Sequence, residues 1–198
     1  MKKIILILGI ITFFGAARSS AQNRTTFGIK ADANISNFIL TGMPGYKSGF
    51  GAGAGFGGFV KIDFGDYFAL QPELALSLQN SALEINGMKN DIRYFGMEIP
   101  VYAMGQLKLD GGDRAYIGIG PWLNLGFSAR NTTEDRDLYK DFMQRGDVGA
   151  AAQIGYEFGF GMQINVSYRF GFLNRLDSPD EGAFMRNQAI TLGIAYRF

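Results

Sequence analysis

The sequence predicts an all-β protein: an eight-stranded antiparallel up-and-down β-barrel that crosses a membrane with its strands. Three observations predict it. Segment after segment alternates apolar and polar residues with a period of two, the periodicity of a strand. Short turns alternate with long polar connections, the pattern of a transmembrane barrel with short periplasmic turns and longer extracellular loops. The chain carries 18 Phe, 9 Tyr and 28 Gly, yet no segment approaches the ~20 consecutive apolar residues of a spanning helix.

The first stretch, "MKKIILILGIITFFGAARSSAQ", reads as a secretory signal peptide. Lys2 and Lys3 make the basic start, Ile4 to Phe14 the apolar run, and Ser19-Ser20-Ala21 the small-residue cleavage site before Gln22. The expected division is therefore a cleaved signal over 1–21 and one barrel domain over 22–198.

The eight strands follow in order. "TFGIKADANIS" supplies 26–36, and the glycine stretch running on to "FVKIDF" supplies 50–63. "FALQPELALSLQ" covers 67–80, with Phe68, Leu70, Leu74, Leu76 and Leu78 on one face against Gln71, Glu73, Ser77 and Gln79. "FGMEIPVYAMGQLKL" covers 94–109 and "AYIGIGPWLNLGFS" covers 114–129. "VGAAAQIGYEF" (147–158) and "MQINVSYRFGF" (161–172) come next, the latter opposing Ile164, Val166, Tyr168 and Phe170 to Gln163, Asn165, Ser167 and Arg169. "QAITLGIAYRF" (188–198) closes the set with strict alternation. Turns at 64–66, 110–113 and 159–160 are tight; the connections at 37–49, 81–93, 130–146 and 173–187 read as long loops.

One face of every strand is nearly free of charge and ends in aromatics, as at Phe68, Tyr168, Phe172, Tyr196 and Phe198, which suits an apolar band with aromatic girdles. The other face carries Lys30, Lys61, Lys108, Arg169 and Arg197 against Asp32, Asp63, Glu73, Glu98 and Glu157. Balanced charge is what a narrow lumen requires, because an unpaired buried charge costs several kcal/mol. With eight strands the interior is wide enough only for side chains to fill it, whereas open porins use ~16.

Several segments resemble the PorT-like outer-membrane β-barrel family, common in Bacteroidetes: "FGIKADANIS", "FALQPELALS", "YFGMEIPVYA", "YIGIGPWLNLGFSA" and "ITLGIAYRF". The resemblance implies outer-membrane localisation, periplasmic chain ends and an OmpA/OmpX-like architecture. One named member of that family belongs to the type IX secretion apparatus, but the shared pieces are barrel-building positions and mark no active site. The alternation of Leu192, Ile194, Tyr196 and Phe198 also resembles the signal read by the barrel-assembly machinery.

The function classes narrow by subtraction. There is no His, which removes most nucleophile–base chemistry and most imidazole metal sites, so no enzyme, catalytic residue, metal site or cofactor is expected. A net charge of +1 gives no case for nucleic acid, and with no Cys the fold must be held without disulfides. Glu73 and Glu98, on adjacent strands, are placed to share a proton or a Lys within the charge network. In the loop "RNTTEDRDLYKDFMQRG", Glu134, Asp135, Asp137 and Asp141 are candidates for Ca²⁺ or for bridging lipopolysaccharide phosphates; Arg130, Arg136, Lys140 and Arg145 offset them, and the loop reads as solvated. Gly53, Gly55 and Gly58 spell G-x-G-x-x-G, but strand, turn and strand follow where a nucleotide site needs a helix. Instead Gly51, Gly53, Gly55 and Gly57 face the lumen, leaving room for inward groups such as Phe59, Tyr102 and Trp122. The expectation is a filled barrel with a structural or interaction role in the envelope, in contact with outer-membrane lipid, lipopolysaccharide, the assembly machinery and envelope or secretion proteins. A narrow gated channel for ions or small solutes is the alternative.

Overall fold

The computed structural model describes residues 23–85, 87–140, 142–177 and 181–198. The expected signal peptide over 1–21, Gln22, Asp141 and the Ser178-Pro179 pair lie outside the described residues. The strands are β1 (Asn23–Thr41), β2 (Tyr46–Phe64), β3 (Phe68–Ile85), β4 (Met88–Lys108), β5 (Arg114–Asn131), β6 (Arg136–Asp137), β7 (Gly146–Glu157), β8 (Met162–Gly171) and β9 (Phe184–Arg197). β6 is a two-residue ladder folded back on the end of β5. The other eight form the wall in the order β4-β3-β2-β1-β9-β8-β7-β5, and pairing of β4 with β5 closes the ring. All wall pairings are antiparallel. Closure leaves no open edge, the condition for β structure in lipid, where no water satisfies a free N–H or C=O.

The start of β1, the end of β9 and the tight β2–β3, β4–β5 and β7–β8 connections share one end of the barrel. There Asp113 staples two turns: its carboxylate accepts from the Tyr156 hydroxyl and, at 2.7 Å, from the Gly159 amide. Those bonds hold the Asp113 carboxyl below its ordinary 3.8.

Two of the four connections expected as loops are strand. Residues 37–41 and 46–49 extend the β1–β2 hairpin, and 81–85 and 88–93 extend β3–β4. Ile85 pairs directly with Met88, so the turn between them is two residues long, with Gly87 at φ 85°. The reason the alternation escaped is that its polarity inverts. Within the membrane band Ile119, Ile154, Leu192 and Ile194 point outward and are exposed, while Gln71, Glu98 and Asn165 point inward and are buried. Above the aromatics Phe50, Phe95 and Phe127 the outward residues become Lys47, Lys89, Asp91 and Arg93, and the inward ones Phe38, Leu83, Ile92 and Tyr94. The same strands are inside-out in lipid and conventional in water.

The glycine stretch lies in β2 beside β1 and β3. A Cβ on Gly57 would come within 2.6 Å of the Ala75 Cα, and one on Gly53 within 2.6 Å of Asn34 Oδ1 besides striking the Leu78 carbonyl. A register shift between Phe50 and Ala54 marks a bulge at the same place. These glycines admit the backbone of the next strand at a sharply curved wall. The bulky groups are accommodated elsewhere: Phe59 lies over Gly28, Tyr116 over Gly155 and Met104 beside Gly118.

Candidate functional site

The lumen holds the protein's buried polar chemistry, in three tiers. In the tier nearest the turn end, Lys61 is fully buried on β2, and its ammonium donates to Glu157 Oε2 of β7 at 2.6 Å. β2 and β7 stand diametrically across the eight-membered ring, so this bond spans the lumen. Arg197 meets the other Glu157 oxygen at 2.9 Å, and Gln163 donates to Oε2 at 2.9 Å. Asp63 accepts from Gln106 at 2.8 Å and from Arg114 at 3.1 Å, with Lys61 and Arg197 each 3.9 Å away. Alternation on six different strands aims all these groups at one level.

The middle tier pairs Lys30 with Glu73 at 2.6 Å, and Gln71 donates to the second Glu73 oxygen at 2.9 Å. Arg169 of β8 pairs with Glu98 of β4, whose Oε1 also accepts from Gln79 at 2.6 Å; Asn187 in turn donates to Gln79 at 3.2 Å. Glu73 and Glu98 therefore take separate cations rather than sharing a proton or one Lys. Asp32 lies in this tier as well, its carboxylate against Gly55. Tyr102, Met104, Tyr116, Trp122, Ala69 and Ala151 pack as a small buried apolar cluster.

The third tier closes the loop end. Phe38, Leu83, Ile92, Tyr94 and Met185 from the walls pack with Leu138, Met143 and Leu176, which come from the two long loops. Met143 and Leu176 form a β-bridge, the Gln144 amide donates to the Arg175 carbonyl at 2.8 Å, and Asp177 donates to Phe142 at 3.0 Å. Arg175, almost fully buried, places its guanidinium over the Tyr94 ring at 5.3 Å. Asp147, also buried, accepts from the amides of Val148 and Leu173.

Nine of the ten residues expected in the lumen network line it. Lys108 does not: it is half exposed at the turn-end rim and pairs with Asp66, because β4 has run past the level of the last lumen side chains. Arg114 takes its place, so the two lower tiers contain Lys30, Lys61, Arg114, Arg169 and Arg197 against Asp32, Asp63, Glu73, Glu98 and Glu157. Arg114 opens a strand next to a turn, where a basic residue looks like rim; only its inward parity with Tyr116 pointed to the lumen. Gln71, Gln79, Gln106 and Gln163 were equally legible by parity, as the amides that donate to the carboxylates; Asn187, which donates to Gln79, lies in the segment expected as a loop. Arg175 gave no signal, lying in a loop.

Leu192, Ile194, Tyr196 and Phe198 project outward along β9. In the loop after β5, Glu134 accepts from Asn131, Asp135 lies 3.9 Å from Arg130, and Asp137 accepts from the Tyr139 amide. Among the described residues, no group of three or more His, Cys, Asp or Glu is arranged to hold a metal ion.

Compared with known families, residues 6–198 match the one described as outer membrane protein beta-barrel domain. Among solved structures, the chain is similar to Neisserial surface protein A at 14% identity and a TM-score of 0.54, over 88% of this chain and 99% of that one. It is also similar to the outer membrane protein OprG from Pseudomonas aeruginosa at 14% identity and a TM-score of 0.56, over 89% and 97%. At such identity the likeness is one of fold alone. No curated protein matches.

Proposed function

Because the chain belongs to the outer membrane protein beta-barrel domain family and so resides in the outer membrane, we propose that it is a plugged barrel serving a structural or interaction role there, not a pore. The observation that carries this reading is the Lys61–Glu157 contact at 2.6 Å between diametrically opposite strands. Beneath the loop cap, side chains from facing walls meet, so the lumen is filled with bonded charge. The absence of His supports a non-enzymatic role. What remains available to a partner is the extramembrane hairpins and the two long loops. Those surfaces suit a component of an envelope or secretion complex, with β9 offered to the assembly machinery during insertion.

Single-channel recording in planar bilayers tests the reading. The full chain should give no steady openings. Sustained conductance would sink the plugged-barrel view in favour of a gated channel. Crosslinking and co-purification from native outer membranes should recover a discrete protein partner.

A further inference from the structure

Arg93 of β4 and Arg130 of β5 are Cα partners in the antiparallel ladder, and both point outward. Like charges directly opposite each other on one face, with Cβ atoms ~4.5–5.5 Å apart, destabilise a sheet unless something lies between them. Protein groups neutralise them only weakly. Asp135 stands 3.9 Å from Arg130, beyond hydrogen-bond reach, with its side chain 91% exposed. Arg93 donates to the neutral Asn80 Oδ1 at 3.4 Å, and Asp91 lies on the same outer face two residues away.

The position is specific. Immediately below are Phe95 and Phe127, in edge-to-face contact at 5.8 Å, which mark the upper edge of the hydrocarbon band. Arg93, Phe95, Ser128, Arg130, Thr132 and Asp135 line a recess of about 260 Å³ open to the outside of the wall. Such a site has an apolar floor at acyl-chain depth and paired guanidinium groups at headgroup depth. We propose that Arg93 and Arg130 bind a phosphate of a lipid A headgroup in the outer leaflet. A phosphate monoester carries about two negative charges and several acceptor oxygens, so it can bridge two guanidinium groups and remove their repulsion at once. Lipid is the favoured source because the recess opens on the outer wall directly above the Phe95–Phe127 aromatic edge and not into the lumen.

The test uses the full chain refolded in zwitterionic micelles, following the unfolding midpoint by heat modifiability on gels. Bisphosphorylated lipid A should raise the wild-type midpoint, and R93Q/R130Q should weaken the apparent affinity at least tenfold. K89Q, four residues along the same strand toward the hairpin tip, should behave as wild type. Dephosphorylated lipid A should give little shift; an equal shift would overturn the phosphate assignment. Inorganic phosphate at the same concentration should have no effect, and reproducing the shift would overturn the lipid assignment. Without any anion, R130Q should unfold at or above the wild-type midpoint, since a repulsion is relieved. A lower midpoint, or full retention of the lipid A response by the double variant, would overturn the proposal.

Discussion

Replacing Arg169 by Met removes one of two cations in the middle tier. Arg169 and Lys30 there face Asp32, Glu73 and Glu98, so the substitution leaves a single cation against three carboxylates. Glu98 is 1% exposed and keeps only the neutral Gln79 as a hydrogen-bond donor. Breaking a buried pair in this way costs on the order of 3–5 kcal/mol. Adding Glu98→Gln removes the stranded charge, so the double variant should recover ~2 kcal/mol or more of that loss. Lys108→Met is the internal control: its pair with Asp66 is about half exposed on both sides, and its loss should cost at most ~1 kcal/mol. Reversible urea unfolding in lipid vesicles, read by tryptophan fluorescence of the single, buried Trp122, gives the free energies of the wild type, R169M, E98Q, the double variant and K108M. If R169M cost no more than K108M, or if R169M and E98Q were simply additive, the account of the lumen as a bonded charge network would be wrong.

Ile194→Arg, on the exposed outer face of β9, should cost ~2–4 kcal/mol near the bilayer midplane and slow assembly into vesicles. Gly53→Ala drives a methyl group into the Leu78 carbonyl and Asn34, and should cost ~1–3 kcal/mol in the same urea assay. A neutral Gly53→Ala would mean that β2 is not tightly curved there. Asp113 has a depressed folded pKa, because the Tyr156 hydroxyl and then the Gly159 amide bond its charged form. Its stabilisation is therefore fully present above the ordinary 3.8 and fades as pH falls through the lower folded value. A carboxyl titration by NMR should place its midpoint below 3.8, and Asp113→Asn should flatten that part of the stability profile.

Parity made most of the wall readable. Once Ile164, Val166 and Tyr168 are taken as lipid-facing, Gln163, Asn165, Ser167 and Arg169 must be inside, and a one-residue slip would put every charge in lipid. The upper hairpins were harder. Phe38, Leu83 and Ile92 occupy inward positions, whereas the strands below them carry polar residues inside, so in the sequence the inversion resembles a break in the strand. A local signal did exist: Asn86-Gly87 between Ile85 and Met88 is the dipeptide of a two-residue hairpin turn.

The sequence by itself determined the architecture, because a period of two and a charge-free face are local properties that only a barrel can satisfy in lipid. Which cation meets which carboxylate was decided by tertiary structure alone. Lys61 and Glu157 are 96 positions apart and become neighbours only when the ring closes and sets β2 across from β7. The same holds for the exchange of Lys108 for Arg114, which depends on how far each strand runs past its partner. The glycine stretch is the third case: its composition is plain in the chain, but the wall curvature that needs it exists only once β1, β2 and β3 are side by side.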